Sequence, residues 1–287
     1  MRTWYKYILT TDPAMAGKTV RNPTDIYIDS METLSREEFL ESGRTSASGV
    51  GSLKFLRESL SKTDSVISIG AGNGEHEIFL ILDGYHILLT DVLPEPLDVV
   101  SRLFPEAETR PVDILAPDFG ERYRDLVGTF DAVFVASLFY WLDNAEARTA
   151  IRNMVRLLKD EGRILISFRS KNNLAITVID AVICRFERTL TAWLRGRRTG
   201  EKHYVFRNFA GYRRGLDEFA ALITEDTGLT VKSLSFDGRY KEFERSVSFR
   251  KSGLSRILGN LFPRYGAYLN LFVLQKGRNR PHAPGMG

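Results

Sequence analysis

The chain has 287 residues, of which 43% are hydrophobic and 26% charged, a composition typical of a globular protein with a packed core. A single cysteine, Cys184, excludes an intrachain disulfide and a cysteine-based zinc site, and the four histidines lack metal-ligand spacing. No apolar stretch reaches the roughly 20 residues of a membrane span, so we expect a cytoplasmic protein without an integral membrane segment.

The charge is distributed unevenly along the chain. Forty basic and 36 acidic residues give a net charge of +4, but residues 1–184 carry −7 and residues 185–287 carry +11. Such asymmetry favours an anionic partner for the second part, with a solvated basic surface as the alternative.

In chain order, residues 1–60 predict a helical cap segment, with helices at 35–40 and 51–60 and a small-residue loop at 45–51. From residue 65, short apolar runs alternate with amphipathic stretches. The predicted strands are 66–70, 87–91, 107–112, 132–136 and 164–168, and the predicted helices are 75–82, 97–104, 119–126 and 145–158. Apolar strands alternating with helices indicate an α/β fold whose doubly wound, mostly parallel sheet is buried on both faces.

The alternation stops after residue 170 and resumes with a helix at 216–224 and strands at 231–236 and 269–275. We therefore predict one domain over residues 61–276. Residues 171–215 form a basic helical insertion in it, and 277–287 form a disordered tail rich in glycine and proline.

The motif that carries chemistry is a strand that runs into three alternating glycines, Gly70, Gly72 and Gly74, and then into a helix. Glycine permits a tight turn and lets a ligand approach the main chain. The next strand ends in Asp91, where a carboxylate can accept hydrogen bonds from both ribose hydroxyls of a nucleotide-like cofactor. The spacing GxGxG differs from the dinucleotide fingerprint GxGxxG.

This segment resembles the seven-strand, Rossmann-like S-adenosylmethionine-dependent methyltransferases. The resemblance extends to the segments 111–114, 130–141 and 157–168 and covers roughly residues 60–170. It implies S-adenosyl-L-methionine as the cofactor and helical insertions as the cap over the acceptor pocket. The implied cofactor-binding residues are Gly70, Ala71, Gly72, Asn73, Gly74, Asp91, Val92, Asp113, Ile114, Ser137 and Leu138.

Within that set, the resemblance implies that the glycines line the methionine side, Asp91 holds the ribose and Val92 packs on adenine. Asp113 would accept from the adenine amino group, and Ser137 and Leu138 would lie where cofactor meets acceptor. For Asp91 and Asp113, a structural role in a cap or turn is the alternative.

The reaction implied is a metal-free, in-line methyl transfer to an oxygen or nitrogen of a small-molecule acceptor, and carbon stays open as the acceptor atom. Metal-dependent relatives place acidic ligands where Ser137 and residues 169–170 stand, so no metal is expected. For a general base the candidates are His203, Tyr140 and Asp143, and surface or packing roles are the alternatives for the first two.

Nine basic residues against two acidic ones, with interleaved aromatics, lie within residues 185–214. They favour an acceptor with negative charge nearby, and leave open a membrane surface or a solvated lid. An RNA methyltransferase is the second hypothesis, and a noncatalytic cofactor-binding partner subunit is the third. The sequence leaves the oligomeric state open.

Overall fold

The computed structural model describes residues 2–10, 13, 19–20, 35–45, 47–168, 189–190, 193–194, 197, 204–225, 227–237 and 269–276. Its strands are β1 (Arg2–Thr10), β2 (Thr19–Val20), β3 (Ser65–Ile69), β4 (His86–Asp91), β5 (Glu108–Pro111), β6 (Phe130–Ala136), β7 (Leu158–Phe168), β8 (Tyr204–Arg213), β9 (Leu229–Asp237) and β10 (Leu269–Lys276). Its helices are α1 (Arg36–Thr45), α2 (Ala47–Ser59), α3 (Glu77–Leu82), α4 (Pro94–Leu103), α5 (Phe119–Arg122), α6 (Asn144–Leu157) and α7 (Leu216–Thr224), with a 3-10 turn at Leu138–Tyr140.

Seven of the described strands form one sheet in the order β5-β4-β3-β6-β7-β10-β9. The pairs β3–β4, β4–β5, β3–β6 and β6–β7 are parallel, whereas β10 runs antiparallel to both β7 and β9. The chain moves outward from β3 to β5 and then crosses back to β6, so the strand order reverses beside β3. In open α/β sheets, ligands bind at the carboxyl ends of the strands at such a reversal. The predicted doubly wound, mostly parallel sheet is confirmed.

The central strands β3, β4, β6 and β7 are buried on both faces of the sheet. On β6, Val133 belongs to a core cluster with the helices α5, α6 and α7, and the next residue, Phe134, belongs to a cluster with α1 to α4. Successive strand residues point to opposite faces, so a strand covered on both sides must be apolar throughout. Helix α6 buries Ala147, Ile151 and Met154 at helical spacing, which matches its predicted apolar stripe.

A separate three-stranded sheet joins the beginning of the chain to the segment after residue 203. Strand β1 pairs antiparallel with β8, from Arg2 opposite Arg213 to Thr10 opposite Tyr204, and β2 adds a parallel pair. Helical segments were expected over 1–60 and 171–215, and this expectation is wrong at β1 and β8, which are strands. Aromatic and β-branched residues fill β1, and such residues favour strands over helices.

Two local expectations also differ from the structure. The small-residue loop at 45–51 is wrong because α1 continues to Thr45 and α2 begins at Ala47. Burial of Phe55 and Leu56 on α2 outweighs the low helix propensity of the glycines and serines there. The predicted tail, 277–287, lies outside the described residues.

Candidate active site

The glycine loop follows β3 and turns sharply three times. Gly70, Gly72 and Gly74 have positive φ angles of 68°, 55° and 63°, a region that side chains other than glycine disfavour. The amide of Ala71 donates to the carbonyl of Thr90 at 2.9 Å, which ties the loop to the end of β4. Asn73 lies in the turn between the second and third glycines and is partly exposed. The loop is therefore fixed at the carboxyl edge of two adjacent central strands.

The three glycines meet different surroundings. A Cβ on Gly70 would lie 3.1 Å from Leu138 Cδ1, and one on Gly74 would lie 3.1 Å from Leu89 Cδ1. A Cβ on Gly72 would have no neighbour within 4 Å. The outer glycines thus permit close packing of the loop, while the middle of the loop exposes its backbone to open space that a ligand can enter.

Asp91 ends β4 beside this loop. Its Oδ2 accepts the amide of Gly72 at 2.9 Å, and its Oδ1 accepts the amide of Leu93 at 3.0 Å. Two main-chain donors therefore fix the orientation of the carboxylate. Val92 follows directly and is 60% exposed, an unusual position for an apolar side chain next to a polar loop. A carboxylate with an exposed apolar neighbour suits the ribose and base of a nucleoside.

Asp113 and Ile114 follow β5, the strand next to β4. The amide of Val112 donates to the carbonyl of Asp91 at 2.9 Å, so the two strand ends lie together. Asp113 Oδ1 accepts the amide of Leu115 at 2.9 Å, which is the turn contact considered as the alternative for this residue. Ile114 is buried and its carbonyl accepts from Asn153 Nδ2.

Ser137 and Leu138 follow β6 at the same carboxyl edge of the sheet. Ser137 adopts a left-handed φ of 61° and is exposed, and its amide donates to the carbonyl of Ser167 on β7. Non-glycine residues in this conformation cluster at binding and active sites. Because Leu138 packs against Gly70, these residues lie beside the glycine loop.

The candidate bases are placed very differently. Tyr140 is buried, and its ring stacks on Phe168 with centroids 6.2 Å apart. Asp143 caps α6, because its Oδ1 accepts the amides of Ala145 and Glu146 in a capping box. His203 lies outside the described residues. Of the three candidates, Asp143 has an evident structural task.

Two residues that sequence reasoning missed support the site. Glu77 is only 2% exposed, and its Oε1 accepts from Ser68 Oγ at 2.5 Å, while Thr90 Oγ1 donates to the carbonyl of Ser68 at 2.7 Å. These bonds join β3, β4 and α3 directly beneath the glycine loop. A carboxylate in the otherwise apolar stretch EIFLIL was the available sequence signal.

Arg214 is the second missed residue, and it is fully buried. Its guanidinium donates to the carbonyls of Phe139 and Leu142, both at 2.7 Å, and to Asn144 Oδ1 at 2.9 Å. Burial lowers the pKa of Arg214 below its ordinary value, and nearby acidic groups oppose that change. The residue holds the end of β8 against the loop that follows β6. Its position within a run of basic residues gave no sign of burial.

Among the described residues, no group of three or more histidine, cysteine, aspartate or glutamate side chains is arranged to hold a metal ion. The same part of the chain contains no helix that is long and apolar enough to cross a membrane.

Part of the chain resembles known methyltransferase sequences. Residues 66–162 match a family model described as a methyltransferase domain. An uncharacterized methyltransferase-like protein of Schizosaccharomyces pombe is 27% identical over 115 residues, which are 40% of this chain and 41% of that protein. An uncharacterized methyltransferase of Mycobacterium bovis is 28% identical over 114 residues, 37% of this chain and 40% of that protein. The match thus spans less than half the length of these curated relatives.

Solved structures share the fold. A TehB-like SAM-dependent methyltransferase from Corynebacterium glutamicum has a TM-score of 0.53 and 16% identity, covering 89% of this chain and all of that one. A geranyl diphosphate methyltransferase solved with SAM has a TM-score of 0.51 and 12% identity, covering 92% and 98%. Residues 66–162 thus resemble a methyltransferase domain, and the chain shares its fold with solved SAM-dependent methyltransferases.

Proposed function

We propose that the protein transfers a methyl group from S-adenosylmethionine to an oxygen or nitrogen of a small-molecule acceptor. The observation that carries this proposal is the pairing of Asp91 with the open loop at Gly72. That pairing supplies a fixed acceptor for ribose hydroxyls and an accessible main chain at one point of the sheet. The residues present therefore fit the cofactor of the family.

The proposed roles follow from placement. Gly70, Gly72 and Gly74 would hold the methionine portion, and Ala71 and Asn73 complete that loop. Asp91 would accept from the ribose, Val92 would cover one face of the base, and Asp113 and Ile114 would contact its edge. Ser137 and Leu138 would border the acceptor. These assignments are proposals that the placement of each residue at the same sheet edge supports.

When bound, S-adenosylmethionine supplies a methyl group on a sulfonium, which is already activated for displacement. The chain then needs chiefly to orient the acceptor and exclude water, since correct positioning alone can contribute about 7–11 kcal/mol to the barrier reduction. The position at which metal-dependent relatives carry an acidic ligand is occupied here by Ser137, so we propose a metal-free reaction.

For proton removal we propose His203, because an imidazole can accept a proton near neutral pH. Tyr140 is the second candidate, although its burial against Phe168 suits a role in shaping the pocket wall. If His203 is the base, His203→Ala should lower kcat most above about pH 6.5, where the imidazole is deprotonated, and should remove the rise of kcat through that pH. Tyr140→Phe should leave the pH profile unchanged. Undiminished turnover of His203→Ala would end this assignment.

The acceptor is proposed to be small and to carry negative charge. The excess of basic residues after position 184 is the supporting observation. The fold itself accommodates such acceptors, since a protein that shares it is named a geranyl diphosphate methyltransferase. An RNA acceptor is the competing proposal. Retention on heparin together with salt-sensitive binding of RNA would favour RNA, and turnover of small acceptors without RNA binding would discard it.

Calorimetry with S-adenosylhomocysteine tests the central claim. Asp91→Ala should weaken binding at least about tenfold, which is the loss of about 1.4 kcal/mol expected when charge-assisted hydrogen bonds are removed. Asp98→Ala is the matched control, because Asp98 is an exposed carboxylate on the nearby helix α4. No binding by the unmodified protein, or equal binding by both variants, would refute the cofactor site. Binding without methyl transfer to any acceptor would indicate a noncatalytic partner subunit.

A further inference from the structure

Three large apolar side chains that lie close together in the sequence are exposed. Leu190 is 42% exposed, Trp193 53% and Leu194 51%, and each has helical backbone geometry. Residues three and four positions apart lie on the same face of a helix, so helical geometry at these three positions favours a single apolar patch. Among the other exposed large apolar residues of the described chain, Val231 and Leu234 share β9, whereas Leu82, Val92 and Val127 are far apart in the sequence.

Positive charge accompanies this patch. Arg197 is exposed on the same segment, and its Cζ lies 4.4 Å from the centroid of the Trp193 ring. The sequence from 185 to 198 contains five arginines and one acidic residue, Glu187. A strongly basic segment with leucine and tryptophan on its exposed face is the composition of helices that lie in the interface of an anionic membrane.

We propose that the segment containing Leu190, Trp193, Leu194 and Arg197 docks the protein on an anionic lipid surface. The apolar side chains would enter the boundary between headgroups and acyl chains, where tryptophan is enriched, and the arginines would contact lipid phosphates. A bilayer explains both features together. Charge alone would also suit RNA, but RNA gives no reason to expose two leucines.

The segment is close in sequence to the acceptor side of the crevice. Only six residues separate Arg197 from the start of β8 at Tyr204. The far end of β8 contacts the loop after β6, where a Cβ on Gly211 would lie 2.5 Å from the carbonyl oxygen of Tyr140. In the sequence, this segment thus precedes the strand whose far end borders the proposed acceptor region. This inference concerns a surface outside the cofactor site, so its test does not depend on methyl transfer.

The experiment is co-sedimentation of the full chain with vesicles, without added cofactor. Vesicles of phosphatidylcholine with phosphatidylglycerol should bind the protein at about 0.1 M salt, and vesicles of phosphatidylcholine alone should bind at least about tenfold more weakly. The triple variant Leu190→Ser, Trp193→Ala, Leu194→Ser should lose binding to the anionic vesicles by a similar factor. Arg197→Glu should weaken it severalfold.

The matched control removes exposed apolar groups of another element. Val231→Ser with Leu234→Ser on β9 changes side chains that are 40% and 37% exposed, and it should bind vesicles like the unmodified protein. Because all the substituted side chains are exposed, each variant should retain the melting temperature. Quenching of tryptophan fluorescence by brominated lipid should occur in the unmodified protein and fall strongly in Trp193→Phe.

Several results would overturn the proposal. Absence of binding to anionic vesicles, or equal binding by the triple variant and the β9 control, would remove the lipid surface as the occupant. A dimer that forms without vesicles and dissociates in the triple variant would identify a second copy instead. Binding to RNA but not to vesicles, lost in Arg197→Glu, would identify nucleic acid.

Discussion

Leu138 packs directly against Gly70, with its Cδ1 atom 3.1 Å from the point where a Cβ of Gly70 would stand. The contact links the loop after β3 to the loop after β6, and these two strands flank the reversal in strand order. The close approach of the two loops thus depends on a glycine opposed by a leucine.

A double-mutant cycle tests that relationship. Gly70→Ala should destabilise the fold by about 2–3 kcal/mol, because it combines a positive-φ alanine with overpacking against Leu138. In a Leu138→Ala background the same substitution should cost only about 1 kcal/mol, since the steric part is gone. Denaturant unfolding measures all four proteins. If the free-energy changes of the two single variants add up to that of the double variant within about 0.3 kcal/mol, the two residues are not energetically coupled.

Gly72→Ala should separate ligand binding from stability. Its φ of 55° makes alanine cost about 1 kcal/mol, yet open space around the position leaves no clash in the free protein. Gly128→Ala is the control, because Gly128 also has a positive φ of 71° with no neighbour within 4 Å, in an exposed turn before β6.

Both variants should lower the free energy of unfolding by similar amounts, but only Gly72→Ala should weaken S-adenosylhomocysteine binding, by at least about tenfold. Equal affinities measured by calorimetry would mean that the loop does not contact the ligand through its middle glycine.

Asp131 should make stability depend on pH in the acidic range. Partial burial raises its pKa, but hydrogen bonds from Lys159 and from the amide and hydroxyl of Ser65 outweigh burial and lower the pKa to about 2. A carboxyl group whose pKa is lower in the folded state stabilises the fold above its unfolded pKa of about 3.9, and that contribution disappears as the pH falls toward 2.

Asp131→Asn should therefore destabilise the protein by about 1–2 kcal/mol at pH 7, after allowance for the partial exposure of the carboxylate. The difference from the unmodified protein should shrink between about pH 4 and pH 2. Chemical denaturation at several pH values provides the measurement, and a difference that stays constant down to pH 2 would contradict it.

Substitution of Arg214 should destabilise the fold more than substitution of an exposed basic residue. Arg214→Lys keeps the charge but cannot reach the carbonyls of Phe139 and Leu142 and the side chain of Asn144 together, so it should cost about 2–4 kcal/mol. Arg148→Lys is the control, because the Arg148–Glu225 ion pair is exposed and should contribute less than about 1 kcal/mol. Similar melting temperatures for the two variants would refute the anchoring role.

The parts of the fold that sequence could predict are those set by local pattern. The apolar runs that became β3, β4, β6 and β7 are short, buried on both faces and separated by helices, so their type follows from composition and spacing alone. The observed ends of these strands differ from the predicted ends by a few residues. For example, β7 begins at Leu158, although its most apolar part starts at Ile164.

The parts that sequence could not predict depend on distant partners. Strand β8 pairs with β1, and nothing near Tyr204 in the sequence announces that pairing. In the site, the glycine loop and Asp91 were predictable because both belong to one continuous strand–loop–helix–strand unit, from β3 through α3 to the end of β4. The supporting roles of Glu77 and Arg214 were not predictable, since they arise from burial that only the folded chain creates.

The pairing of β1 with β8 also constrains the order in which the chain can assemble. The paired residues are roughly 200 positions apart, from Thr10 with Tyr204 to Arg2 with Arg213. At about 5–20 residues per second, a ribosome needs on the order of 10–40 seconds to make the intervening chain. During that interval β1 is synthesised but its partner does not exist, so its backbone donors and acceptors stay available to other strands or to chaperones. Completion of the small sheet is therefore a late event of biosynthesis, after the central strands β3 to β7 have all been made.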